Sequence, residues 1–176
     1  MNAFSPIRFA LAAMAVSLLF SACTSAPPAS RAAVDATPPA QRLAAVQAAA
    51  GADDKELSVQ PLRDPQVDDL RETANAHREA GDLVGAADAL NQALLLVDGD
   101  PAVLQERAEI ALLQGDWPRA ETLARKAVAL GSRTGPLCRR HWATIEQAHL
   151  ARAEKENAAS AHAQIEGCTV PGIIRY

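Results

Sequence analysis

The sequence predicts an all-α fold: a stack of about three helical hairpins, preceded by a disordered linker. Two observations predict it. One hairpin pattern occurs twice within residues 70–131, 34 residues apart. Leu70 aligns with Leu104, Ala74 with Ala108, Gly81-Asp82 with Gly115-Asp116, and Ala86, Leu90 and Ala93 with Ala120, Ala124 and Ala127. A fixed period of this size marks a repeat array whose units bury their apolar faces on one another. The helix starts recur as well. Asp64-Pro65 and Asp100-Pro101 each set a capping carboxylate before a proline, and Gly135-Pro136 forms a third start.

Residues 1–22 read as an export signal. Arg8 is the lone charge before the apolar run 9–20, which only Ser17 interrupts. That length suits a signal core and is short for a bilayer span. Leu19-Phe20-Ser21-Ala22-Cys23 resembles a bacterial lipoprotein box, with Phe20 where the box prefers Leu. The resemblance implies a lipid on Cys23 as the first mature residue. Thr24 follows where an Asp would imply inner-membrane retention, so the family rule implies outer-membrane placement, facing the periplasm. Cleavage after Ala26, giving a soluble export product, is the alternative. Several acyl chains on one cysteine make a stable anchor, whereas one chain binds marginally. Loss of Arg8 leaves 16 basic residues against 21 acidic, a net charge of −5. Such a chain carries no nucleic-acid footprint, and the lipid rather than a basic patch would hold it at the membrane.

Residues 23–63 form an Ala/Pro-rich linker. Pro27-Pro28 and Pro38-Pro39 stand among Ala, Ser and Thr, with no core-forming residues between them. Residues 40–50 carry a thin apolar stripe, Leu43 and Val46, and can form a short, transient helix ending at Gly51. Asp53 to Arg63 returns to loop.

The repeat domain spans 64–176, with units at about 65–98, 101–131 and 136–168. Within each hairpin, small residues such as Ala74, Ala86 and Ala93 let helix backbones approach, and leucines fill the gaps. Gly81 and Gly115 suit the left-handed turn that ends a helix. Asp82 and Asp116 follow as N-caps of the second helices. Pro118 tolerates its place in a first turn. Trp117 is expected to pack between units, and Gly131 closes the second hairpin.

Residues 136–167 are compatible with either one long helix or a hairpin turning near Arg152–Glu156. With Cys23 lipidated, Cys138 and Cys168 remain as an even pair in an oxidising compartment. On one straight helix they would stand about 45 Å apart, and a disulfide requires Cα atoms within about 7 Å. A Cys138–Cys168 bridge therefore demands that the chain fold back as a third hairpin. The tail from Thr169 to Tyr176 is expected to pack over that hairpin.

The large apolar residue opening each first helix, the small residue one turn on, the Gly-Asp turn and the alanines of the second helix resemble the tetratricopeptide repeat family. The chain departs from that pattern at aromatic positions, held here by His77, Ala111 and Ala124. The resemblance implies a right-handed superhelical stack in which successive first helices line a groove for a partner's peptide or helix. Carried over by alignment, the groove holds Arg71, Asn75 and Arg78 from the first repeat. Gln105, Glu109 and Leu112 come from the second, and Arg140 from the third. Arg71 and Asn75 have the residue types with which some family members clamp a terminal carboxylate. Glu106 and Pro136 stand where that clamp has Asn and Lys. A solvated charged face is the competing reading of the same side chains.

No catalytic constellation is visible. His141 and His149 lie eight apart without a His-Glu-x-x-His motif. His77 holds a packing position, and Cys138 with His141 supplies only two potential metal ligands. There is no phosphate loop and no nucleophile elbow. The chain thus reads as a membrane-anchored adaptor that binds a protein partner in envelope or appendage assembly, with no cofactor, no metal and no small-molecule substrate. Pilus or secretion-system assembly, envelope-protein assembly and cell-wall enzyme regulation all fit. A homo-oligomeric accessory subunit is one alternative, and an enzyme using Cys138 or His141 is another.

Overall fold

The computed structural model describes residues 35–51 and 64–169. The export signal, Cys23, the rest of the linker and the tail from Val170 lie outside the described residues. Those described form seven helices and no strand: α1 (Pro39–Ala50), α2 (Pro65–Glu79), α3 (Leu83–Leu96), α4 (Pro101–Leu113), α5 (Trp117–Leu130), α6 (Gly135–Ala151) and α7 (Lys155–Gly167). Helices α2–α3, α4–α5 and α6–α7 pair as three hairpins. α3 packs on α4, α5 packs on α6, and α1 lies against α6 and α4. The fold is all-helical and tetratricopeptide-like. Leu70 and Leu104 occupy equivalent places in the first helices of successive hairpins, each eleven residues before the turn glycine.

Local chemistry accounts for the helix ends. Asp64 accepts from the Gln66 N–H at 2.9 Å, Asp82 from Gly85 at 2.8 Å, Asp100 from Ala102 at 2.8 Å and Asp116 from Arg119 at 3.2 Å. Each carboxylate satisfies an amide that the helix itself leaves unpaired. The hydrogen bond to Gly85 also lowers the pKa of Asp82 below the usual carboxylate range.

The three hairpin turns share one geometry. Gly81 and Gly115 sit at φ of 80° and 75°, and Ala153 takes the same left-handed place at 59°. The N–H of Asp82 donates to the His77 carbonyl, that of Asp116 to Ala111, and that of Glu154 to His149, at 2.9–3.0 Å. This bond ties off the carbonyls that end each first helix. The third hairpin thus forms with an alanine where the first two use glycine. Its Glu154 does not cap α7 with its side chain. The carboxylate instead takes Arg152 Nε at 2.9 Å and His149 Nδ1 at 2.5 Å. Hydrogen bonding to Arg152, then to His149, lowers the pKa of Glu154 to about 2.

The third hairpin is closed at its far end. Cys138 in α6 and Cys168 after α7 form a disulfide, with Cα atoms 5.7 Å apart. The Gly135 N–H, at the start of α6, donates to the Cys168 carbonyl at 2.8 Å. The alternative of one long helix is thereby settled in favour of the hairpin.

Alanines make the close contacts between helices. Ala86, Ala93, Ala108, Ala120, Ala124 and Ala127 are fully buried, with Leu90, Leu104, Ile110, Leu112 and Ile145 filling the space between them. Helix α4 is central: ten of its 13 residues are buried, as expected of a helix wrapped on every side. Trp117 is half-buried and packs on the cluster that holds Val46 of α1.

Residues 39–50, expected as a transient helix within a linker, form a helix docked on the repeat domain. Leu43 and Val46 are buried at its interface. Arg42 is also buried, paired with Asp35 at 3.0 Å and reaching the Gln147 carbonyl and side chain at 3.4 Å. Its guanidinium lies 5.6 Å from the Trp117 ring centroid, within cation–π range. At the other end, Arg139 Nε donates to the Ala49 and Ala50 carbonyls at 3.1 Å. That cation caps the carbonyl end of α1, where the helix dipole favours positive charge. α1 therefore runs antiparallel to α6, held by two arginines as well as by its apolar stripe.

Candidate protein-binding cleft

The first helices of the hairpins, α2, α4 and α6, supply most of the lining of a cleft of about 440 Å³. Its floor is apolar: Ala74, Leu90 and Ile110. Its walls are charged: Asp68, Arg71, Glu72 and Arg78 from α2, Glu106 and Glu109 from α4, and Arg140 from α6. Gln47 of α1 stands at one edge.

Of the seven groove residues expected from the sequence, Arg71, Asn75, Arg78, Glu109 and Arg140 line this cleft. Gln105 and Leu112 are not part of its lining; both are fully buried away from it. The reason is the central place of α4. Leu112 belongs to the same apolar cluster as Val46 of α1, so the docked helix covers a face the sequence reading left open. Glu72, Glu106 and Gln47 line the cleft without having been singled out for it.

The charges pair across helices. Arg71 makes a two-pronged ion pair with Glu106, Nε to Oε2 at 2.9 Å, and a second contact with Asp68 at 3.1 Å. Its bond to Glu106 holds the guanidinium pKa above its usual value. Arg140 donates to Glu109 at 2.6 Å from Nη2 and 2.9 Å from Nε. Arg78 donates to Asn75 Oδ1 at 2.5 Å, and Asn75 donates to Glu79 at 2.9 Å. Each arginine here is already engaged, so an incoming carboxylate would have to compete with Glu106 for Arg71, Glu109 for Arg140 or Asn75 for Arg78.

Behind this wall lies a buried polar chain. Gln105 Nε2 donates to Glu109 at 2.8 Å and to the Thr144 hydroxyl at 2.8 Å. Its amide oxygen must then accept, which makes His141 Nδ1, 2.7 Å away, the protonated ring nitrogen. His141 Nε2 is buried without a hydrogen-bond partner. Burial, then the nearby Arg140 charge, lowers the His141 pKa to about 4. His141 thus orients Gln105, which holds Glu109 toward Arg140 at the cleft wall.

His141 is sealed from solvent, and Cys138 is consumed in the disulfide; the candidate nucleophile and base are spent on structure. Among the described residues, no three His, Cys, Asp or Glu side chains gather as a metal-binding set, and no helix is long and apolar enough to cross a membrane. His77 stands beside Asp82 at 2.9 Å. Cys23 lies outside the described residues.

Among solved structures, the globular C-terminal domain of LpoP from P. aeruginosa is 30% identical to this chain. The match covers 60% of this chain and 99% of that domain, with a TM-score of 0.56. This chain belongs to the family of the LpoP C-terminal domain. The repeat hairpins are thus placed in a family by a structure rather than by a tetratricopeptide signature: no protein-family model matches the sequence, and no curated protein does.

Proposed function

We propose that this protein is a lipid-anchored adaptor of the cell envelope that faces the periplasm and binds a peptidoglycan synthase through the α2–α4 cleft. The observation that carries the reading is the cleft: an apolar floor between charged walls, on the face that tetratricopeptide-like folds use for partner segments. Of the roles that fit such an adaptor, we take regulation of a cell-wall enzyme ahead of pilus, secretion and general assembly. Cys23 would carry the lipid, and residues 23–34 would give the domain reach from the outer membrane. The homo-oligomeric reading rested on alanine-rich helix faces, and those alanines are occupied between the hairpins.

The test is in-membrane photo-crosslinking from position 78 of the full chain, with the captured protein identified by mass. A peptidoglycan synthase is the expected product. Arg71→Ala combined with Asn75→Ala should cut its yield at least fivefold. Undiminished capture by the double variant would remove the cleft as the binding site.

A further inference from the structure

The family of first helices has two occupiable stretches, and only one is open. Beside the cleft, the faces of α4 and α6 are covered by α1. The chain itself therefore displays what those faces accept: a helix laid antiparallel to α6.

The recognition chemistry is specific. An apolar pocket that includes Leu112, Ala143 and Ala148 receives Val46 of the apolar stripe. Trp117 and Gln147 receive the arginine that precedes the stripe. Arg139 reads the carbonyls at the end of the helix rather than any side chain. These requirements are independent of how the helix is attached.

α1 itself is a weak tenant. It has 12 residues, no side-chain cap at its start and a thin apolar stripe. Isolated helices of that length are marginal in water. Two large apolar side chains, with the Arg42 and Arg139 contacts, must offset the ordering of the whole segment. Arg42 brings a further cost, because its Nε is buried without a partner.

We infer that the α4–α6 face is a second, helix-reading site, filled in cis by α1 and open by exchange to a partner helix. That partner helix carries an arginine followed by apolar residues at the next and fourth positions, as in Arg42-Leu43-x-x-Val46, with a free carbonyl end for Arg139. The inference rests on the protein-binding reading only for the identity of the partner. Its test needs no outside protein, so failure at the α2–α4 cleft leaves it standing.

The probe is a labelled peptide of residues 37–51 added to the full chain. Wild type, with its site filled, should bind it weakly. Leu43→Ala with Val46→Ala loosens α1 and leaves the face intact, so peptide affinity should rise at least tenfold. Adding Arg139→Ala should remove that gain. A helical, folded double variant that binds no better than wild type would overturn the inference. If the double variant fails to fold, hydrogen exchange on wild type decides. α1 amides exchanging at least a hundredfold faster than those of α4 support exchange, and equal rates refute it.

Discussion

Lowering the pH from 7.5 to 5 should weaken this domain through one buried ring. His141 is fully buried, donates from Nδ1 to Gln105, and has no acceptor at Nε2. A second proton would create a buried N–H with nothing to receive it, beside the Arg140 charge. The folded pKa of about 4 lies below the ordinary 6.5. In the unfolded chain the ring takes up its proton near the ordinary value. Between those limits the unfolded state binds more protons, so stability falls as pH falls. The contribution is fully present above about pH 6.5 and is lost down to about pH 4. It amounts to about 1.4 kcal/mol per pH unit and about 3 kcal/mol in all. The assay is urea unfolding of wild type and His141→Asn at pH 7.5, 6 and 5. Asn is chosen because its amide can still donate to Gln105. The variant should be less stable at pH 7.5, and the gap should close by roughly 2 kcal/mol at pH 5. Parallel curves, or a ring proton that titrates above pH 6 by NMR in the folded protein, would refute the reasoning.

Ala153→Gly should stabilise the domain by about 0.5–1 kcal/mol, since a left-handed alanine costs about 1–2 kcal/mol and glycine returns part of that as chain entropy; thermal unfolding checks it, and a loss of stability would argue against the shared turn geometry. Replacing both Cys138 and Cys168 by Ser should cost roughly 3.5–4 kcal/mol on the chain-entropy model for a loop of this length, read as a drop in urea midpoint. Glu154→Gln should weaken the third turn at neutral pH. It should also flatten acid unfolding below pH 4.5, because the lowered Glu154 carboxyl contributes stability that is present above its ordinary pKa of 4.5 and lost as pH falls toward about 2. An unchanged acid limb in that variant would count against the Arg152 and His149 contacts.

The first two hairpins were legible because turn glycines, capping aspartates and alanines keep one period of 34. The third was legible from its Gly135-Pro136 start and its cysteines, but its turn was not legible by alignment, for reasons visible at single residues. Ala153 stands 38 residues after Gly115, one helical turn beyond the period, because α6 has 17 residues where α4 has 13. That offset, with alanine and glutamate in the places of glycine and aspartate, hides the turn from alignment. The cysteine pair restored it by geometry alone. The docking of α1 was missed because its anchors are arginines, which read as solvated residues in a sequence. The same omission explains the groove: Leu112 lies on a first helix, as alignment required, but the segment that covers it comes from more than sixty residues earlier in the chain.

Because α4 is enclosed by α1, α3, α5 and α6, its side chains are fitted to different neighbours on each side. Gln105 meets His141 and Thr144 of α6, while Arg107 reaches Asn91 of α3. The middle hairpin is thus an axle rather than an interchangeable link. Units of an ordinary solenoid can be exchanged one for another; here, excising the middle hairpin would bring together two surfaces never shaped to meet.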